Sequence, residues 1–192
     1  VRYADDIIIL VKSEKAANRV MASITDYIER KLGLKVNMIK TKVCKPNGLK
    51  YLGFGFYKSN KYEVIPHKES KVKFKRKLKS LTKRSESISL DKRFERLNWL
   101  IRGWVNYFKM SKMKKFLTQI DEWLRTRIRM IIWKQWKKPK TQENNLVKCG
   151  FSRNEARGLA NCRRGYMFIA HSKILQNAIS KTRLSKPNKT KE

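Results

Sequence analysis

Residues 1–10 read VRYADDIIIL, so that two adjacent acids, Asp5 and Asp6, stand directly before an aliphatic run. Residues 7–11 are all aliphatic and mostly β-branched, which predicts a buried strand. Two carboxylates at the mouth of such a strand repel each other and resist burial. Either the pair forms a solvated turn, or something positive lies beside it and makes use of the repulsion.

The charge of the chain indicates the class of its partner. The 192 residues include 48 Lys and Arg against 15 Asp and Glu, a formal net charge of +33 with a pI of about 10.4. Solubility does not require so large a charge, and it is typical of a protein that binds nucleic acid. No apolar run is long enough to span a bilayer, so we expect no membrane partner. With 41% hydrophobic residues, the chain can still form a packed core.

The three cysteines, Cys44, Cys149 and Cys162, are widely spaced, and none belongs to a CxxC pair. Only two histidines occur in the chain, so the sequence predicts neither a zinc site nor a disulfide framework. We interpret the cysteines as reduced thiols of a cytoplasmic protein.

The secondary-structure pattern changes near residue 68. The first part predicts strand, helix and further strands, with the helix over 14–32 and Gly33 ending it. The second part predicts helices and holds 35 of the basic residues. The predicted strands are 7–11, 34–36, 40–43, 49–57 and 62–65, the last two paired as a hairpin, and the predicted helices of the second part are 68–84, 91–109, 113–136, 152–162 and 172–180. The fold class is therefore α+β.

The acids of Tyr3-Ala4-Asp5-Asp6 suit nucleotidyl transfer. Two divalent ions held by carboxylates can activate a primer 3′ hydroxyl and neutralise a triphosphate during in-line displacement. A tight turn between strands would give the carboxylates a rigid base. A four-residue motif is weak by itself, and a solvated Asp-Asp turn remains the alternative.

Beyond this motif the sequence resembles the reverse transcriptases encoded by group II introns, the intron maturases. The similar segments follow in the family's order over nearly the whole chain. They are Gly33 to Asn37 with Lys40 to Lys42, Tyr51 to Phe54, Arg102 to Phe108, Asp121 with Trp123 to Arg129 and Trp133 to Lys137, and Gly150 to Ser152 with Ala156-Arg157 and Arg163 to Tyr166.

The resemblance implies a role for each group of site residues. Asp5 and Asp6 would be catalytic and would bind two Mg²⁺ ions, completed by an upstream aspartate that lies before residue 1. Contacts with nucleotide or primer would come from Tyr3, Lys40, Lys42, Leu52, Gly53 and Phe54. Lys40 and Lys42 could equally be solvated or on phosphate, as most lysines of so basic a chain are. Intron RNA would be bound by Lys75, Arg76, Lys79, Arg125, Arg127, Arg129 and Lys134.

The resemblance also divides the chain. Residues 1–67 would be the C-terminal portion of a polymerase palm, a short antiparallel sheet with a helix. Residues 68–140 would form the helical thumb, and 141–192 a basic helical segment with a frayed tail. We expect the chain to be a fragment that lacks the fingers, and to be inactive alone because two acids at one turn cannot hold two metal ions.

The implied partners are intron RNA, an RNA template with a DNA primer, and dNTPs, and a homodimer is left open. The implied setting is the bacterial cytoplasm, associated with nucleic acid. Two other functions remain open. The chain could be an RNA-binding splicing factor with a vestigial polymerase, against which the intact Tyr-Ala-Asp-Asp argues. It could be a reverse transcriptase of another class, such as a retron enzyme, against which the thumb segments argue.

Overall fold

The computed structural model describes residues 1–58 and 60–185, and its fold is α+β, as predicted. The chain divides into two compact units, Val1–Leu49 and Lys50–Glu192, each of which is described by itself. The predicted frayed tail, 186–192, lies outside the described residues. Within the described ranges no helix is both long and apolar enough to cross a membrane.

The first unit holds a short hairpin and one long helix. Strands β1 (Arg2–Tyr3) and β2 (Asp6–Ile7) pair antiparallel, and helix α1 (Glu14–Asp26) continues into a π-helical turn, Tyr27–Lys31. The Ser13 hydroxyl caps α1 by accepting a hydrogen bond from the Ala16 amide at 3.2 Å. Gly33 follows with φ +64°, a conformation that favours glycine at a helix end. The predicted helix over 14–32 is confirmed.

The predicted buried strand over residues 7–11 is wrong. Strand β2 ends at Ile7, and Leu10 is 78% exposed. The hairpin forms a sheet of two strands, and no side chain of residues 1–49 is buried. An aliphatic run needs a second layer to cover it, and this unit provides none by itself.

The predicted strands over 34–36 and 40–43 are also wrong, because their backbone groups bond to the preceding helix and to a local turn. The Leu34 amide donates to the Ile28 carbonyl at 3.2 Å, and the Val36 amide donates to Glu29 Oε1 at 3.4 Å. The Asn37 carbonyl accepts from the amides of residues 40 and 41. Asparagine commonly forms such turns, which compete with strand pairing.

The second unit begins with a three-stranded antiparallel sheet in the order β3 (Lys50–Tyr51), β4 (Phe54–Lys58) and β5 (Tyr62–Pro66). The predicted single strand over 49–57 instead folds back at residues 52 and 53, where Tyr51 pairs with Phe54. The predicted pairing of 62–65 with this strand is confirmed, with Lys58 opposite Tyr62 and Gly55 opposite Ile65. Ser59, in the predicted loop of that hairpin, lies outside the described residues.

Helices make up the rest of the second unit. The predicted helices over 68–84, 91–109, 113–136, 152–162 and 172–180 are all present with shifted ends. A further helix begins at Pro139, because proline supplies the fixed φ of a first helical position. The helices are α2 (Lys68–Leu81), α3 (Leu90–Phe108), α4 (Lys114–Gln135), α5 (Pro139–Lys148), α6 (Arg153–Ala160), α7 (Tyr166–His171), α8 (Lys173–Ala178) and α9 (Lys181–Ser185).

Helix α4 is central because it contributes to both hydrophobic clusters of this unit. Its Ile120, Leu124 and Ile128 pack with residues of α2 and α3, including Phe74 and Leu97. Its Trp133 packs with the C-terminal helices in the other cluster, which holds Leu146, Ala156, Leu159, Ile169, Leu175, Ala178 and Ile179. A helix packed on two sides leaves little of its surface to solvent.

A buried arginine joins α3 to the end of α2. The side chain of Arg93 is 2% exposed, and it donates to the Leu81 carbonyl and, at 3.0 Å, to the Glu86 carbonyl. Burial lowers the pKa of this guanidinium from its ordinary value. Removing the side chain would take the donor of both hydrogen bonds away.

We therefore expect Arg93→Ala to lower the free energy of unfolding by about 2–4 kcal/mol, since it removes two hydrogen bonds and leaves a cavity. The matched control is Arg96→Ala, one turn later on α3. The Arg96 side chain is 45% exposed and lies 3.8 Å from Glu86, so its loss should cost about 0.5 kcal/mol or less. Urea unfolding of both variants measures the difference. Equal effects would contradict the structural role of Arg93.

Candidate functional site

The two acids lie at the tip of the β1–β2 hairpin. Tyr3 pairs with Asp6, so Ala4 and Asp5 form a two-residue loop. Ala4 has φ +47°, a left-handed conformation that is unusual for alanine, and Arg2 Nε donates to its carbonyl at 3.0 Å. Asp5, Asp6 and Tyr3 are all exposed. The hairpin therefore presents both carboxylates at one exposed turn.

The acids of this turn suit a magnesium ion. Carboxylate oxygens are the ligands that Mg²⁺ prefers, and the ion is usually held by one or two carboxylates together with substrate phosphates and water. In residues 1–58 and 60–185, no group of three Asp, Glu, His or Cys side chains could hold a metal. Asp5 and Asp6 supply two such oxygen ligands at one turn, and their binding of magnesium stays a prediction.

Lys40 and Lys42 lie in the same unit, in and after the turn that begins at Asn37. The Lys40 amide donates to the Asn37 carbonyl at 3.1 Å and to Asn37 Oδ1 at 3.2 Å, and the Thr41 hydroxyl donates to the same carbonyl at 3.0 Å. Both lysine side chains are exposed. Their contact with a nucleotide stays a prediction.

The other predicted primer contacts lie in the second unit, at the turn between β3 and β4. Leu52 has φ +48° and Gly53 has φ +81°, the pattern of a tight two-residue hairpin turn. The Gly53 carbonyl accepts from the Ser70 hydroxyl at 2.8 Å and from the His67 amide at 2.9 Å. A Cβ on Gly53 would lie 3.1 Å from Ser70 Oγ. The structure thus explains this glycine by packing within the chain.

The basic helix α2 divides into two faces. Phe74 and Leu78 are buried against α3 and α4, whereas Lys75, Arg76 and Lys79 are exposed. The ammonium of Lys75 also lies 5.1 Å from the ring centroid of Trp123. The helix is anchored at its start, where the Lys50 ammonium bonds to Glu69 and holds the pKa of that carboxyl below its ordinary value. The exposed face of α2 therefore carries cations, while its opposite face is packed against the protein. Its exposed basic residues are Lys68, Lys73, Lys75, Arg76, Lys77 and Lys79.

The structure places the predicted RNA-binding residues of α4 differently from one another. Arg129 is 9% exposed and donates to the Ile179 carbonyl at 3.1 Å. Arg127 donates to Thr82 Oγ1 at 2.6 Å and to the Thr82 carbonyl at 2.9 Å. Burial lowers the pKa of both guanidinium groups from their ordinary value. Both side chains join α4 to neighbouring segments.

RNA binding by Arg127 and Arg129 stays a prediction, and the structure shows that both guanidinium groups already bond to backbone carbonyls of the protein. Arg125 keeps some contact with solvent, since its side chain is 23% exposed, and its guanidinium pairs with the Asp121 carboxylate at 3.0 Å. Lys134 is exposed, and its ammonium donates to the Arg84 carbonyl at 3.0 Å. Because α4 is packed on two sides, its arginines stabilise contacts within the fold more than they present charge to solvent.

Two residues without a predicted site role, Tyr107 and Ser70, bond to the β3–β4 turn. Tyr107 Oη donates to the Leu52 carbonyl at 2.8 Å, so α3 bonds to one residue of the β3–β4 turn while Ser70 of α2 bonds to the next. Tyr107 does stand in the Arg102–Phe108 segment, but helical spacing alone indicates only that it can share a face with Trp104 or Phe108. Its bond spans 55 positions, which no local pattern predicts.

Comparison with protein-family models gives two matches in succession. Residues 1–56 match the reverse transcriptase (RNA-dependent DNA polymerase) model. Residues 71–150 match the model of the group II intron, maturase-specific domain. Together the matches cover more than half of the chain. A search of curated proteins gave no match.

Proposed function

The chain belongs to the reverse transcriptases and maturases that group II introns encode, and on this premise we propose that it joins a catalytic turn to an RNA-holding helical segment. In this proposal Asp5 and Asp6 serve RNA-directed DNA synthesis, and the helices from α2 onward bind the intron RNA and assist its splicing and mobility. The observation that carries the proposal is the order of the two family matches along one chain.

The catalytic part of the proposal concerns Asp5 and Asp6. Bound Mg²⁺ would supply charge neutralisation of the triphosphate and a more acidic primer 3′ hydroxyl. The two aspartates would bind the magnesium ions, and an upstream aspartate outside residues 1–192 would complete the site. Tyr3, which pairs with Asp6 across the hairpin, would face the nucleotide or primer, and Lys40 and Lys42 would meet the phosphates.

The primer part concerns the β3–β4 turn. Leu52, Gly53 and Phe54 would contact the primer strand, with Leu52 and Gly53 forming the turn itself. In this proposal residues 1–67 would be the palm portion, 68–140 the thumb and 141–192 the C-terminal segment. The compact units divide earlier, after Leu49, so this turn is built on the same unit as the thumb helices.

The RNA part rests on the exposed face of α2. Residues 71–84 hold eight basic residues and no acid, and Lys75, Arg76 and Lys79 are exposed. Exposed cations opposite a buried apolar face suit contacts with the phosphates of folded RNA, which do not depend on base sequence. Lys134 and Arg125 of α4 would add further contacts with the RNA.

Two assays on the full-length protein test the proposal. One measures cDNA synthesis on intron RNA with Mg²⁺, dNTPs and a DNA primer, and the other measures splicing of a reporter intron at near-physiological salt. We expect activity in both. Splicing help without cDNA would indicate a splicing factor with a vestigial polymerase. Synthesis of cDNA without splicing help would indicate a reverse transcriptase of another class, such as a retron enzyme.

A further inference from the structure

We propose that Tyr107 is a positioning residue, which holds the Leu52–Gly53 turn in the conformation that contacts the primer. The inference rests on the proposed primer contact of residues 52–54 and adds to it a residue of α3 that no motif assigns. Tyr107 would act through the turn, without touching primer or nucleotide itself. Its position follows from three features of the second unit, which are the backbone of the turn, its hydrogen bonds and its aromatic support.

The first feature is the backbone of Leu52. Its φ of +48° is a left-handed conformation that a bulky residue rarely adopts. A tight hairpin turn with two positive φ values is normally built from Asn, Asp and Gly, and leucine at the first position is unfavourable. Such strain persists only where the surrounding structure holds the backbone in place. The turn must therefore be held by groups outside itself.

The second feature is the set of bonds that hold it. The Leu52 carbonyl accepts from Tyr107 Oη at 2.8 Å, and the Gly53 carbonyl accepts from Ser70 Oγ at 2.8 Å and from the His67 amide at 2.9 Å. Two consecutive carbonyls are thus held by two different helices. Tyr107 bonds to the Leu52 carbonyl, so its hydroxyl constrains the peptide group that joins Leu52 to Gly53.

The third feature is an aromatic support under Phe54. The ring centroids of Phe54 and Tyr107 lie 5.6 Å apart at an interplanar angle of 21°, and those of Phe54 and Phe108 lie 4.9 Å apart at 64°. The Tyr107 ring therefore packs on one residue of the turn region while its hydroxyl bonds to another. Because these two contacts are separable, phenylalanine at 107 would keep the ring contact and lose only the hydrogen bond.

Tyr107 is 55% exposed, so its hydroxyl could bond to water without folding cost if the turn were elsewhere. Loss of the bond should consequently leave the fold almost unchanged and loosen the turn. A loosened turn would hold the primer end less well, which appears as weaker binding of primer–template. Intron RNA bound on the exposed face of α2 should not be affected.

The experiment compares Tyr107→Phe with Tyr57→Phe in the full-length enzyme. Tyr57 lies on β4 of the same hairpin and is 55% exposed, and no hydrogen bond of its hydroxyl is found in the described part of the chain. Primer extension gives KM for primer–template and kcat separately. Hydrogen exchange of the backbone amides of residues 50–58 reports the turn, and thermal unfolding together with intron RNA affinity reports the fold and the RNA surface.

We expect Tyr107→Phe to raise the KM for primer–template about fivefold, the effect of one lost hydrogen bond, with kcat within about twofold. Amide exchange in residues 50–58 should accelerate, the melting temperature should fall by no more than about 3 °C, and the affinity for intron RNA should be unchanged. Tyr57→Phe should match the unmodified enzyme in every assay.

Two outcomes would overturn the inference. If Tyr107→Phe matched Tyr57→Phe in KM and in amide exchange, the hydroxyl would not position the turn. If it lost stability and intron RNA affinity along with primer use, its role would be structural. An unmodified enzyme that made no cDNA would overturn the proposed function, and with it the primer role of the turn, while amide exchange would separately report whether Tyr107 holds that turn.

Discussion

Replacing Asp5 and Asp6 together by asparagine in the full-length enzyme should abolish cDNA synthesis and leave intron splicing near the unmodified level. The change removes two carboxylate charges with almost no change in volume, and both residues are exposed, so the fold should be retained. Loss of several kcal/mol of metal-borne charge stabilisation corresponds to a rate loss on the order of 10³-fold or more. Splicing chemistry belongs to the intron RNA, which the helical segment would bind and brace.

The measurement scores primer extension and reporter splicing on the same protein preparation. A matched control, Glu14→Gln with Asp26→Asn, removes two exposed carboxylates from α1 of the same unit and should preserve both activities. Circular dichroism melts verify folding of each variant. Retained extension would remove the acids from the catalytic site. Loss of splicing by a folded double variant would show that the proposed division of labour is wrong.

Removing three charges from the exposed face of α2 should have the second largest effect. Lys75→Gln, Arg76→Gln and Lys79→Gln together should flatten the dependence of log binding constant on log salt by about 2 to 3 units, because each phosphate contact contributes about −0.7 to −0.9. The affinity for intron RNA should fall at least about tenfold near physiological salt. Glutamine keeps helix propensity close to that of lysine and arginine, so α2 should stay folded.

The control for net charge is Lys12→Gln, Lys15→Gln and Arg19→Gln, which removes the same three charges from exposed positions at and near α1. Filter binding of intron RNA over a series of salt concentrations measures both variants. The control should keep most of the salt slope, since only local phosphate contacts release counterions in this way. A slope unchanged by the α2 substitutions would place the RNA on another surface.

The helices of the second unit were predictable because their periodicity is strong and local. Phe74 and Leu78 of α2, and Ile120, Leu124 and Ile128 of α4, recur at helical spacing and are buried as that spacing predicts. The first unit was less predictable, because a strand requires a partner that the local sequence does not contain. Residues 7–11 and 34–36 have strand-like composition, and neither segment forms a strand beyond Ile7.

The candidate site divides in the same way. The Tyr3–Asp6 turn and the basic character of α2 can be read from adjacent residues, since a hairpin turn and a helix face are local structures. Whether the arginines of α4 face solvent cannot be predicted from adjacent residues. Composition suggests that Arg127 and Arg129 face solvent, but α4 packs in two clusters. Arg127 instead donates to the Thr82 carbonyl, and Arg129 donates to the Ile179 carbonyl.

The sequence by itself determined the α+β class, the order of an acidic turn before a basic helical segment, and the family, because each depends on residue types at short spacing. Only the tertiary structure decided which cations face solvent and what holds the β3–β4 turn. Tyr107 reaches Leu52 across 55 positions, and Arg129 reaches Ile179 across 50. Such bonds depend on how packed helices bring distant backbone carbonyls within reach of a side chain, and no local period of the sequence encodes that distance.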